Sequence, residues 1–472
     1  MDNLYEMIQR ADGGDVEAQY NVAWYIVWRD EREPIEPDWL ERAVDYFEHA
    51  ASQGHGDAML DLGAMYKAGR GVLRDKVKVF YWYNKAAEIL HPKAFRCLSY
   101  ALDIPLGYLD INDPLDNETY KTAFNYFFKG AMLDEQNSLY QLGDMYYSGK
   151  FVEMDSKFAY RLYKKSYDFI KYIEDDSYAD VCLRLGECNC MGIGTEQDID
   201  EARKHLENAV KGFEIRIARG DGPEFVMEGF NRARHLLKRI DAGKIPLNRI
   251  DLTMAKKKDE YAAFVAGEQI NFPEPIYPIE ALEALKKENP IVPIPKGEDF
   301  NTVLANAEFG DKWAMYYLAF FCIDRFENVP DSSKMIDFAL YYYHKAALCG
   351  FSVALFTLGT VFRKGHGVTA DPIKALLYFE QSNETIALEE IGLYYLNGEI
   401  VEQDYEEAFK CFAKCALFRE KYDYAALPEL ARMYREGIFV EADKKFADYL
   451  EEQGKKRSES GREYNVPIEH DR

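Results

Sequence analysis

Small and apolar residues recur along this chain with a period of about forty residues. The most regular phrase is Leu-Gly-x-x-Tyr. It stands at Leu62-Gly63 with Tyr66, at Leu142-Gly143 with Tyr146, and as Ile391-Gly392 with Tyr395. Close variants begin at Leu185-Gly186, Leu358-Gly359 and Leu430-Ala431, and weaker copies at Val22-Ala23, Leu98-Ser99 and Leu318-Ala319. In each copy the second residue is Gly, Ala or Ser. A small residue at a fixed place on an amphipathic helix implies that a neighbouring helix passes too close for a larger side chain.

Three residues after the Tyr position comes a glycine, at Gly69, Gly149, Gly192, Gly365, Gly398 and Gly437. Nine residues after it comes an aspartate, at Asp75, Asp155, Asp198, Asp371, Asp404 and Asp443. The glycine supplies the positive φ that ends a first helix, and the aspartate caps the next. A second pattern follows, roughly Ala-x-x-aromatic-aromatic-x-x-small-small. It reads Ala43, Tyr46, Phe47, Ala50, Ala51, then Val79, Trp82, Tyr83, Ala86, Ala87, and later Ala339, Tyr342, Tyr343, Ala346, Ala347. Spacing i, i+3, i+4, i+7, i+8 places these on one helical face, so the aromatic stripe is core.

These residues resemble the Sel-1-like repeat, a relative of the tetratricopeptide repeat. Residues 58–87 match it closely, from Ala58 through Gly69, Gly71, Val72 and Asp75 to Trp82, Tyr83 and the Ala86-Ala87 pair; residues 354–379 match almost as well. The resemblance implies an all-α, right-handed solenoid of about nine to ten helix-turn-helix repeats, acting as a scaffold for binding partners. Long inserts near 28–38, 101–119 and 321–334 depart from the pattern. Some family members link repeats by disulfides. Cys415 occupies such a place, but Ala425 and Ala426 stand where its mate would be, and Cys182 has no mate near Ser166 and Tyr167.

The organisation expected is an N-terminal repeat block over 1–243, a connector over 244–300, a C-terminal block over 301–450 and a loose polar tail over 451–472. Residues 213–243 read as a worn sixth repeat. The connector holds Pro273, Pro275, Pro278, Pro290, Pro293 and Pro295, a density that forbids regular helix except near 252–267 and 278–289. It reads as a link between blocks, or as a strap folded over the binding groove.

Composition narrows the function. The chain is 48% hydrophobic and 15% aromatic, which supports large cores and excludes disorder over most of it. A formal charge of −24 opposes binding to a phosphate backbone or an anionic membrane surface and attracts a basic protein, although acidity also keeps a long solenoid soluble. The first ten residues carry acids where a signal peptide carries Lys or Arg, and the eight cysteines are scattered, so a reducing, cytoplasmic setting is expected.

No motif for catalysis emerges. The chain has neither a phosphate-binding loop nor a His-Glu-x-x-His pair, and Cys188-x-Cys190 lacks a second pair at zinc spacing. His205 and His366 read as structural. No cofactor and no metal are expected, and the pattern carries no signal for an oligomeric state. The reading is therefore a non-enzymatic adaptor that binds a protein or peptide on its concave surface, which first helices line in such solenoids. Between their packing positions lie Asn21, Asp61, Met65, Gln141, Asp144, Arg184, Glu187, Thr357 and Glu390, with aromatics such as Trp24 and Tyr147 alongside. The alternatives are an acidic immunity protein or inhibitor covering a basic effector and, remotely, an enzyme whose site hides in 244–300.

Overall fold

A computed structural model describes residues 4–28, 37–102, 117–243, 279–288, 291–292, 297–325, 332–382, 384–418 and 426–462. The chain forms two compact units, Met1–Asp251 and Leu252–Arg472. The inserts at 29–36, 103–116 and 326–331, the proline cluster and the helix expected near 252–267 lie outside the described residues.

The first unit runs α1 (Leu4–Asp12), α2 (Val16–Trp28), α3 (Pro37–Ser52), α4 (Gly56–Ala68), α5 (Lys76–Glu88), α6 (Pro92–Ala101), α7 (Asn117–Met132), α8 (Gln136–Ser148), α9 (Ser156–Phe169), α10 (Tyr178–Met191), α11 (Ile199–Arg219) and α12 (Pro223–Asp241). From α2 onward the helices pair as first and second members of a repeat, each packing on its mate and on the next pair. The worn sixth repeat contributes α12, which packs on α10 and α11.

Among the described residues the second unit begins with α13 (Ile279–Glu288), the strands β1 (Ile291–Val292) and β2 (Glu298–Asp299), paired antiparallel, and α14 (Phe300–Glu308). Four pairs follow: α15 (Lys312–Arg325) with α16 (Ser332–Leu348), α17 (Ser352–Lys364) with α18 (Pro372–Ser382), α19 (Thr385–Asn397) with α20 (Tyr405–Ala416), and α21 (Ala426–Glu436) with α22 (Lys444–Arg462). Ala281, Leu282, Leu285 and Val292 are buried in one core with Phe300, Leu318 and Tyr343. This part of the expected connector is thus the capping layer of the second unit.

The repeat pattern has a direct physical cause. A Cβ on Gly63 would lie 2.2 Å from the Tyr83 ring, and one on Gly143 would lie 2.5 Å from Tyr163. Gly186 meets Leu206, Gly359 meets Phe379 and Gly392 meets Phe412 in the same way. In these five pairs the glycine of the first helix is the seat for a large side chain of its own second helix. The turn between them is equally regular: Gly69 adopts φ 73° and Asp75 accepts from the backbone N–H of Val77 and Lys78. The other five expected caps, Asp155, Asp198, Asp371, Asp404 and Asp443, also accept from the first turn of the helix that follows.

One expectation fails at the C-terminus. Residues from 451 were expected to be loose, yet α22 continues through Arg462. The Glu452–Lys456 pair supports the extra turns, and an Arg457 guanidinium N–H donates to the Ala416 carbonyl at 2.9 Å.

Candidate protein-binding surface

First helices stack beside one another, so residues one repeat apart face each other across the stack. In α8, Leu139, Leu142 and Tyr146 are buried in the packing, while Gln141 and Asp144 project between these positions. Arg184 on α10 grips Asp144 with two prongs: Nε to Oδ1 and Nη2 to Oδ2, both at 2.7 Å. The Tyr163 hydroxyl of α9 donates to the same carboxylate at 2.8 Å.

The row extends in both directions. The Tyr100 hydroxyl of α6 donates to Asn137 Oδ1 at 2.6 Å, and Gln141 Nε2 donates to the Tyr140 hydroxyl at 2.8 Å. Glu135, buried at the start of α8, accepts from the Ser138 backbone N–H and hydroxyl, with Arg96 of α6 3.8 Å away. Further along, Arg232 of α12 pairs with Glu187 of α10, and Arg216 of α11 donates to Asp180 at 2.7 Å. Burial holds the Asp180 carboxyl above its ordinary range although Arg216 and Arg184 oppose the shift.

This geometry corrects part of the expected surface. Gln141, Asp144, Arg184 and Glu187 are between 3% and 9% exposed, so they form an internal polar row rather than an open one. Neighbouring first helices approach closely enough for their side chains to pair, and pairing excludes water. Met65 is fully buried and packs beside Gly71, so it is core. Thr357 is half-buried, its hydroxyl donating to the Val353 carbonyl at 2.9 Å and lying 3.4 Å from the Tyr316 hydroxyl. Glu390 is half-buried and paired with Arg363 of α17; burial raises its carboxyl while Arg363 opposes this. Tyr147 is also half-buried, and burial pushes its hydroxyl up to about 12.

Two expected residues remain at the surface end of the row. Asn21 is exposed on α2 beside Trp24, and Asp61 on α4 is partly buried. Tyr20 and Trp28 act on the Asp61 carboxyl as hydrogen-bonding neighbours that hold it down. Burial, reinforced by the charge of Asp57, raises the Asp61 carboxyl to about 6. Sequence reasoning missed Tyr163, Arg232 and Arg363 as partners and Tyr25 and Trp28 as exposed aromatics. The repeat period was the available signal for Arg232, which lies about one period beyond Glu187 as Arg184 does beyond Asp144.

Other candidate chemistry resolves as packing. His205 is buried with its ring edge-on to Tyr167 at 5.2 Å, and burial lowers its pKa. Cys182, Cys188, Cys190, Cys322, Cys411 and Cys415 are buried thiols. Among the described residues no group of three or more His, Cys, Asp or Glu side chains could hold a metal ion, and no helix is long and apolar enough to cross a membrane.

Stacked helix pairs with small-to-aromatic seats and αL-glycine turns define a helical-repeat solenoid of the kind that binds other proteins. The Sel1 repeat model matches residues 16–55, 56–88, 136–168, 179–212, 314–351, 352–384, 385–416 and 426–447, more than half of the chain, which therefore belongs to the Sel1 repeat family. Sel1 repeats are protein-interaction scaffolds. The α6–α7 pair, which carries the 103–116 insert, falls outside these matches.

A curated relative is the ERAD-associated E3 ubiquitin-protein ligase component HRD3B of Arabidopsis thaliana, 32% identical over 114 residues. The match spans 24% of this chain and 16% of that protein. Among solved structures, c5321, a protective antigen of uropathogenic Escherichia coli with an SLR fold, is 19% identical, with 99% of this chain and 96% of that one covered and a TM-score of 0.31. The immunity protein Pa5087 of Pseudomonas aeruginosa is 20% identical, with 49% of this chain and 84% of that one covered and a TM-score of 0.30.

Proposed function

We propose that this protein is a non-enzymatic adaptor that holds a protein partner on the first-helix surface of its solenoid. The observation that carries this reading lies in the first unit. Ion pairs between repeats tie α8, α10 and α12 together, while α2 of the same row leaves Trp24, Tyr25 and Trp28 exposed. A surface held rigid before binding loses less entropy when a partner docks, and Trp and Tyr are the side chains that most often anchor such contacts.

The partner in this reading is basic, because the chain carries a formal charge of −24. A basic effector neutralised by this protein is the narrower form of the same idea. A cytoplasmic setting belongs with it, supported by eight cysteines of which none is joined in a disulfide.

The test is capture of the full-length protein from its native cell, followed by reconstitution from purified components. The expected result is a complex of fixed stoichiometry that leaves the partner chemically unaltered. A partner cleaved or modified in the purified mixture, or no complex on reconstitution, would overturn the adaptor reading.

A further inference from the structure

Helix α2 carries two stripes. Val22, Ala23, Ile26 and Val27 face the core, whereas Asn21, Trp24, Tyr25 and Trp28 face outward, with Trp24 46%, Tyr25 44% and Trp28 37% exposed. Positions 21, 24, 25 and 28 share one side of a helix. Two indoles and a phenol left together at a surface are costly in water, which marks a contact surface rather than a solvated one.

The stripe borders a carboxylate cluster. Tyr20 and Trp28, two turns apart on α2, both act on the Asp61 carboxyl of α4, so Trp24 lies between them on the same side. Asp57 stands one turn before Asp61, and the Glu17 side chain at the start of α2 is 72% exposed. Of the nearby bases, His55 stacks on Tyr20 at 4.3 Å and lies 3.5 Å from Glu17, whereas His91 lies 3.5 Å from Asp57 and already holds that carboxyl below its ordinary range. Among the described residues no Lys or Arg forms an ion pair with Asp61, and Lys93 acts on it only through its field. The Arg70 guanidinium already sits 5.4 Å over the Trp28 ring, which shows how the stripe receives such a group.

We propose that the Asn21, Trp24, Tyr25 and Trp28 stripe, together with Asp57 and Asp61, docks a basic segment of a partner protein, with an arginine side chain seated between the indoles and the carboxylates. This rests on the adaptor reading and names its contact. A planar guanidinium stacks on an indole and pairs with a carboxylate at once, which an ammonium does less well. Burial first, and the charge of Asp57 second, raise the Asp61 carboxyl, and a cation seated beside it offsets both. A second copy of the chain, also at −24, is repelled rather than attracted.

The experiment uses the full-length protein and a Gly-Arg repeat peptide bearing a benzophenone photo-crosslinker, with a citrulline twin that keeps the shape and loses the charge. Crosslinks are expected within α2 and α4, and Trp24→Ala, Asp61→Asn or citrulline should each weaken binding by about tenfold or more. Neutralising the exposed Glu207 on α11, Glu207→Gln, is expected to leave binding within about twofold. Trp24 is exposed, so its variant stays folded even if the Asp61 variant does not, and thermal melts verify both. Crosslinks scattered over the acidic surface, equal binding of the citrulline twin, or wild-type affinity in Trp24→Ala overturns the proposal. So does a dimer that Trp24→Ala dissociates in sedimentation. If a native partner is captured equally well by Trp24→Ala, this surface is refuted while the adaptor reading stands.

Discussion

Arg184 and Asp144, forty residues apart, meet in a two-pronged ion pair whose oxygens lie 2.7 Å from the guanidinium nitrogens. The pair joins two first helices at positions that are each less than a tenth exposed. Coulomb attraction offsets desolvation only while both charges are present. Arg184→Ala should therefore destabilise the first unit by about 3–5 kcal/mol in urea denaturation, because Asp144 is left buried without its cation. Replacing both, Asp144→Leu with Arg184→Met, should cost far less. If the double variant is as unstable as the single one, the row is not held by charge.

The seat formed by Gly63 under Tyr83 makes a second prediction. Gly63→Ala should cost about 1–3 kcal/mol, since the new methyl group occupies space the ring already fills. Combining it with Tyr83→Ala should cost less than the sum of the two single changes, because the clash vanishes with the ring. Strict additivity in a double-mutant cycle would show that the two residues do not meet.

How much of this was legible in the sequence depends on the distance over which each rule acts. The Leu-Gly-x-x-Tyr phrase, the αL glycine and the capping aspartate operate within one helix pair, so periodicity located the pairs and their turns. The polar residues between packing positions gave no such guidance. Asp144 and Glu187 read as open binding surface because their partners, Arg184 and Arg232, come from the following repeats. Whether a polar position is open or paired depends on how closely stacked helices approach, which a one-repeat pattern does not encode. Met65 failed for a related reason: the turn after α4 folds Gly71 back over it.

The thiols offer a measurement of packing in both units. Cys349 is exposed and Cys97 partly so, while the other six are buried, and burial raises Cys182 to about 12. A thiol that is both buried and protonated reacts slowly with a disulfide reagent. The native protein should show one fast-reacting thiol, a second slower one, and all eight only after denaturation. Four or more fast thiols would mean that α10 and α20 are not packed as described.

Asp61 and His344 should give the two units opposite responses to pH. Burial and the charge of Asp57 raise Asp61 to about 6, against about 3.9 for an unfolded aspartate. Between those values the folded state holds a proton that the unfolded state has released, so stability falls as pH rises through the window. His344 is lowered to about 4 by burial, against about 6.5 unfolded. There the unfolded state takes up a proton that the folded state refuses, so stability falls as pH drops from about 6.5 towards 4. Each effect is on the order of 2 kcal/mol after allowance for partial exposure. Chemical denaturation of the parent, Asp61→Asn and His344→Gln between about pH 4 and 7 separates them. Relative to the parent, Asp61→Asn should gain stability as pH rises through 6. Relative to His344→Gln, the parent should lose stability as pH falls below about 6.5. Curves that stay parallel across the range would show that neither group is buried in the way its surroundings indicate.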